Sequence, residues 1–74
     1  MATKGNAMNH RKIYALAIEA AEAQAYVRDF LELAAKREKE GCPLAAEAAR
    51  ESAASWQRAE DKCAAAIKAE TENS

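Results

Sequence analysis

The chain has 74 residues, with 11 basic and 12 acidic side chains and a formal net charge of -1. This length allows one domain at most, and the balanced charge does not favour nucleic acid over other partners. Half of the residues are hydrophobic, but most of these are alanine, and the mean hydropathy is only -0.49. The sequence therefore predicts a small soluble domain with few large side chains for a core.

The longest apolar run near the N-terminus covers residues 13–18. This run is too short for the core of a signal peptide or for a membrane-spanning helix. We therefore expect a cytoplasmic protein without membrane association, located in the host cell if the gene belongs to a phage.

Residues 1–8 mix glycine, asparagine and other polar residues without periodicity, which predicts a flexible N-terminal arm. A helix is predicted over residues 9–39, because helix-forming residues dominate there and nothing interrupts them. Asn6 and Asn9 are the two candidates for its N-cap. Apolar residues recur at intervals of three and four, which indicates a single packing seam. The seam consists of Ile13, Leu16, Ala20, Ala23, Val27, Phe30 and Ala34.

A turn is predicted at residues 40–43, where the sequence reads Glu-Gly-Cys-Pro. Gly41 suits the left-handed position that ends a helix, and Pro43 suits the first turn of the next one. A second helix is predicted over residues 43–70, followed by a frayed tail at 71–74. Its predicted seam consists of Ala45, Ala49, Ser52, Trp56, Ala59, Cys63 and Ala66.

The two predicted helices match in length, which favours an antiparallel hairpin over a chance break between unrelated segments. Folding the chain between Gly41 and Cys42 places Val27 opposite Trp56 and Ala20 opposite Cys63. The predicted fold class is therefore all-α, with one hairpin domain over residues 9–71. Trp56 is interpreted as a core residue opposite Val27, with an interface hot spot as the alternative.

Apolar side chains also lie on both flanks of the first seam, which suggests a further contact. Tyr26, Phe30 and Leu33 fall on one flank, and Tyr14 and Ile18 on the other. One flank can widen the contact within the hairpin, but the other needs a partner to cover it. We therefore predict a homodimer that forms a four-helix bundle.

The sequence offers little for catalysis or for binding a cofactor. Glycine-rich phosphate loops are missing, and His10 is the only histidine. Cys42 and Cys63 would lie about 30 Å apart along a helix, too far to share a metal ion or a disulfide within one chain. We therefore predict no catalytic residues, no metal site, no cofactor and no enzymatic activity.

Basic residues cluster at the open end of the predicted hairpin, at His10, Arg11 and Lys12. The simpler interpretation is a solvated terminus whose charge is offset by Glu70 and Glu72. The alternative is an arm that contacts phosphate groups.

Three functional hypotheses follow. The first is a non-enzymatic interaction protein that occupies a surface of another protein, for example a phage- or plasmid-borne inhibitor or regulator. The second is a helical bundle that binds nucleic acid, in the manner of RNA-binding bundles, through the basic open end. The third is an oligomeric bundle that binds a small ligand or nucleotide in a pocket near Trp56 and Tyr26. The interface candidates are Tyr14, Ile18, Tyr26, Phe30, Leu33 and Trp56.

Overall fold

The computed structural model describes residues 9–72, which form two long helices packed against each other. Helix α1 runs from His10 to Lys39 and helix α2 from Pro43 to Glu72. The predicted all-α hairpin is confirmed. Helix α2 continues through Glu72, beyond its predicted end, while the predicted arm at 1–8 and residues 73–74 of the predicted tail lie outside the described residues. Neither helix is apolar enough over a sufficient length to cross a membrane.

Asn9 caps the N-terminus of α1, because its side-chain Oδ1 accepts a hydrogen bond from the backbone N–H of Lys12 at 3.0 Å. This bond satisfies one of the donors that a first helical turn leaves unpaired. The first turn of α1 contains no acidic residue, whereas its last turn contains Lys36, Arg37 and Lys39. The basic C-terminal end is favourable, because the helix dipole is negative there.

The turn is a Schellman motif centred on Gly41. Gly41 has a φ of +79°, and its N–H donates to the carbonyl oxygen of Glu38 at 3.0 Å. The N–H of Cys42 donates to the carbonyl oxygen of Arg37 at 2.8 Å. Both bonds close the end of α1 in the pattern that glycine at this position favours. Pro43 then opens α2, where a missing N–H costs nothing.

Alanine alone fills the buried centre of the described hairpin. The buried residues are Ala23, Ala34, Ala46, Ala49 and Ala53. All residues of the predicted α1 seam are buried or half-buried, so that seam is confirmed. The predicted α2 seam is wrong near the turn, since Ala45 is exposed and Ala46 and Ala53 are buried instead. Alanine occupies nearly every face of α2, so hydrophobic periodicity could not fix its rotation.

Three contacts spaced by seven residues fix the register of the two helices. Lys12 contacts Glu70 at 3.0 Å, the Cys63 thiol contacts Glu19 at 3.6 Å, and Tyr26 stacks on Trp56. A seven-residue interval is the repeat expected of two helices that follow one seam. The predicted register is therefore off by one residue, because Trp56 meets Tyr26 rather than Val27.

Trp56 does not lie in the buried core, which corrects the favoured interpretation of this residue. Its side chain is 37% exposed. Helices that meet on alanine approach closely, and an indole does not fit between them. The ring is therefore displaced to the side of the seam, where it meets Tyr26.

Candidate functional site

A cleft opens on the side of the hairpin where Tyr26 and Trp56 meet. Their ring centroids lie 4.5 Å apart with an interplanar angle of 25°, and Tyr26 remains 47% exposed. The cleft has a volume of about 300 Å³ and is lined by Glu19, Glu22, Ala23, Tyr26, Trp56, Ala59 and Cys63. We refer to these residues as the aromatic cleft.

The charge of the aromatic cleft is negative. Oε1 of Glu19 accepts a hydrogen bond from Sγ of Cys63 at 3.6 Å. Partial desolvation raises the pKa of the Cys63 thiol, and the hydrogen bond to Glu19 and the charges of Glu19 and Glu60 raise it further. The thiol therefore stays protonated at neutral pH, which makes it a poor nucleophile and a poor metal ligand.

The carboxylates of the aromatic cleft have no cationic partner in the described part of the chain. The ion pairs between residues 9 and 72 lie elsewhere and join Lys12 to Glu70, Arg37 to Glu40 and Arg50 to Glu38. Glu60, beside the cleft, accepts only from the neutral side-chain amide of Gln57, at 3.1 Å. The aromatic cleft thus combines exposed ring surface with unneutralised negative charge.

A second groove opens on another part of the helix pair, around Leu31, which is 50% exposed. It consists of two adjoining hollows of about 550 and 310 Å³ that share Val27 and Leu31. The remaining lining residues are Gln24, Arg28, Glu32, Ala35, Arg50, Ala53, Ala54 and Gln57. We refer to this surface as the Leu31 groove. Its charges nearly balance, since Arg50 is paired with Glu38 at 3.0 Å and Arg28 precedes Glu32 by one helical turn.

The sequence did not predict Leu31 as a surface residue of functional interest. Leu31 lies beside the α1 seam and belongs to neither of the two predicted flanks. Its position four residues after Val27 is the signal that could have found it. On the predicted flanks, Phe30 and Leu33 are half-buried. Tyr14 is 73% exposed and Ile18 is also exposed, so these two remain uncovered in a single hairpin.

The basic residues at the open end are all exposed. Nζ of Lys12 lies 3.0 Å from Oε2 of Glu70, which is one of the two acidic residues predicted to offset this cluster. An exposed pair of this kind contributes little to stability, but it lowers the positive charge available to a phosphate group. His10 and Arg11 lie beside it in the first turn of α1.

Residues suited to metal binding are not grouped in the described chain. Within residues 9–72, no three histidine, cysteine, aspartate or glutamate side chains are placed to hold one ion. Cys42 is exposed at the turn, Cys63 is half-buried in α2, and both are free thiols.

Comparison with known proteins gives no relative from which a function could be transferred. No family model matches the chain, and neither a curated protein nor a solved structure matches it. Function therefore has to be inferred from the side chains of the hairpin.

Proposed function

We propose that this chain is a small non-enzymatic protein-interaction module, which self-associates as a homodimeric four-helix bundle and occupies a surface of another protein. One observation carries the proposal: the buried core consists of alanine, while large apolar side chains remain exposed. The exposed side chains are Tyr14, Ile18, Tyr26, Leu31, Leu44 and Trp56. Apolar area gains about 25 cal/mol per Å² when it leaves water, so these side chains favour association.

The size of the hairpin suits a dimer. Each helix has 30 residues, which gives a length of about 45 Å. Two helices about 8–10 Å apart present a face roughly 18–20 Å wide. Such a face approaches 900 Å², close to the roughly 800 Å² that each partner buries in a stable interface of standard size.

The side of the hairpin that carries the Leu31 groove at its centre is the face that we assign to self-association. The exposed alanines at positions 35 and 54 allow a neighbouring helix to approach closely. Because the charges along this groove nearly balance, two copies can meet without strong repulsion. The aromatic cleft is unsuited to the same role, since two acidic clefts facing each other would repel.

A dimer formed through the Leu31 groove would leave the aromatic cleft and the exposed Tyr14–Ile18 surface for another protein. A phage- or plasmid-borne inhibitor or regulator is one instance of such a module. The nucleic-acid alternative is weakened by the pairing of Lys12 with Glu70, which reduces the positive charge of the open end. The raised pKa of Cys63 removes the half-buried thiol as an activated nucleophile, which agrees with a non-enzymatic role.

Light scattering after size exclusion tests the self-association. We expect the wild type to have twice the 8.0 kDa mass of one chain, and Leu31→Ser to shift it toward the monomer. Leu44→Ser is the matched control, because Leu44 is 83% exposed and lies outside the Leu31 groove. A folded wild-type monomer at every concentration, or equal effects of the two variants, would contradict the assigned dimer face.

Partner binding needs its own test, for which Tyr14→Ser with Ile18→Ser is the informative variant. The measurement is photo-crosslinking in the cells that naturally contain the protein. We expect the wild type to capture a specific protein and the double variant to capture less of it. The paired variant Ala17→Ser with Ala21→Ser is the control, since both alanines are exposed on α1. The absence of any specific captured protein, with the dimer intact, would contradict the interaction role alone.

A further inference from the structure

We infer that the aromatic cleft is a docking site for an arginine side chain of the partner protein. The inference rests on the proposed interaction function and adds the chemistry of the partner. It depends on two independent features of the cleft, which are its exposed stacked rings and its carboxylates, which form no ion pair with the described residues.

The rings supply an apolar surface of the right kind. Tyr26 and Trp56 are stacked, yet about a third to a half of each side chain remains exposed. Tryptophan and tyrosine are enriched at the energetic centres of protein interfaces. A cation over an aromatic face is attracted by the ring quadrupole, and arginine is found there more often than lysine.

The carboxylates supply the complementary charge. Glu19 and Glu22 are one helical turn apart and both line the cleft with the two rings. Neither takes part in an ion pair with the residues that the structure describes. The planar guanidinium can stack on a ring and donate two parallel hydrogen bonds to a carboxylate, which a lysine ammonium cannot do.

The volume of the cleft agrees with a single side chain. About 300 Å³ lies at the lower limit of pockets that hold drug-sized molecules. Among the arginines of a second copy, Arg37 and Arg50 are held in ion pairs within their own hairpin, and Arg58 donates to Ser55 at 3.2 Å. Arg28 lines the Leu31 groove, which we assign to self-association. Arg11, exposed at the open end, is the one remaining candidate of a second copy, and the light-scattering experiment below tests it. A partner protein therefore fits better than a second copy.

Trp56 is the only tryptophan in the chain, so its fluorescence reports directly on the cleft. The probe is a capped six-residue arginine peptide, with the neutral citrulline peptide of the same length as its control. We expect saturable quenching or enhancement with the arginine peptide and none with the citrulline peptide. Glu19→Gln with Glu22→Gln should weaken binding by about tenfold, through the loss of charge-assisted hydrogen bonds.

Glu47→Gln with Glu51→Gln is the matched control, because it removes the same charge from two exposed positions of α2 that do not line the cleft. Binding to this control should equal binding to the wild type. Equal weakening in both double variants, or an unchanged Trp56 signal in the wild type, would overturn the inference. Circular dichroism of each variant verifies that the helices are intact.

Light scattering on the same samples separates this inference from the proposed function. A wild-type dimer that does not bind the arginine peptide contradicts only the proposed docking site. A monomer that binds the peptide with the expected selectivity contradicts only the self-association. Loss of the dimer in Glu19→Gln with Glu22→Gln would show that a second copy occupies the cleft, which would also overturn the inference.

Discussion

The aromatic cleft and the Leu31 groove are built from the same two helices, yet they present different chemistry. In the aromatic cleft, Tyr26 and Trp56 bridge the helices beside two carboxylates that form no ion pair with the described residues. In the Leu31 groove, one exposed leucine lies among alanines and nearly balanced charges. A seam of alanine causes both features, because it brings the helices so close that larger side chains must lie beside the seam.

The difference between the two surfaces suggests different partners. A neutral surface with small residues suits a second copy of itself, since a two-fold interface packs the same patch of both copies together and therefore doubles any net charge that the patch carries. An acidic surface with exposed rings opposes its own copy and favours a cation. Changes to the seam should therefore disturb both surfaces, whereas changes on one surface should leave the other intact.

The largest effect should come from the shared alanine seam. Ala46 is fully buried, so Ala46→Leu should lower the free energy of unfolding by about 3 kcal/mol, the upper end for overpacking. Ala48→Leu is the control, because Ala48 is exposed on the same helix. Urea denaturation measures both. An Ala46→Leu protein as stable as the control would contradict the close approach of the helices.

A smaller effect should distinguish the two surfaces. Trp56→Ala should cost about 2 kcal/mol, below the roughly 3–5 kcal/mol of a fully buried aromatic side chain, because part of the ring is already in water. Leu31→Ala should cost about 1 kcal/mol or less when measured below the association concentration. Urea denaturation of the dilute protein measures both changes. If Leu31→Ala lowers the free energy of unfolding more than Trp56→Ala does, Leu31 belongs to the core of the hairpin and the Leu31 groove is wrongly assigned.

The smallest effect concerns the thiol in the aromatic cleft. Glu19→Gln should lower the raised pKa of Cys63, so iodoacetamide should modify Cys63 faster at pH 8 in a Cys42→Ser background. Because the pKa of Cys63 is raised in the folded state, stability should fall as pH rises above the ordinary value of 9.0. Glu19→Gln should reduce that fall. An unchanged alkylation rate would show that the Glu19 charge does not act on the thiol.

The sequence predicts the outline of the fold well, for physical reasons that apply to particular residues. Gly41 and Pro43 define the turn, because glycine tolerates the positive φ that ends α1 and proline is excluded from the interior of a helix but suits the first turn of α2. The α1 seam is readable because Ile13, Leu16 and Val27 contrast with polar neighbours. The α2 seam near the turn cannot be read from the sequence, since Ala45 and Ala46 are equally good candidates. Only the packing of the two helices shows that Ala46 is the buried one.

The candidate site was harder to predict than the fold. Tyr26 and Trp56 were both singled out from the sequence, but their pairing depends on a one-residue change of register. Glu19 gains its significance only from Cys63 on the other helix. Such cross-helix groupings are set by the rotation of α2, which its alanine-rich sequence does not encode strongly.

The central claim is that the hairpin, with only alanine in its buried core, is completed by a second copy. The most direct test is urea unfolding, followed by circular dichroism at two protein concentrations about 100-fold apart, because association makes apparent stability depend on concentration. We predict that the unfolding midpoint rises with concentration and that Leu31→Ser abolishes the rise. Superimposable wild-type curves with a cooperative transition at both concentrations would contradict the claim and show that one hairpin is stable alone.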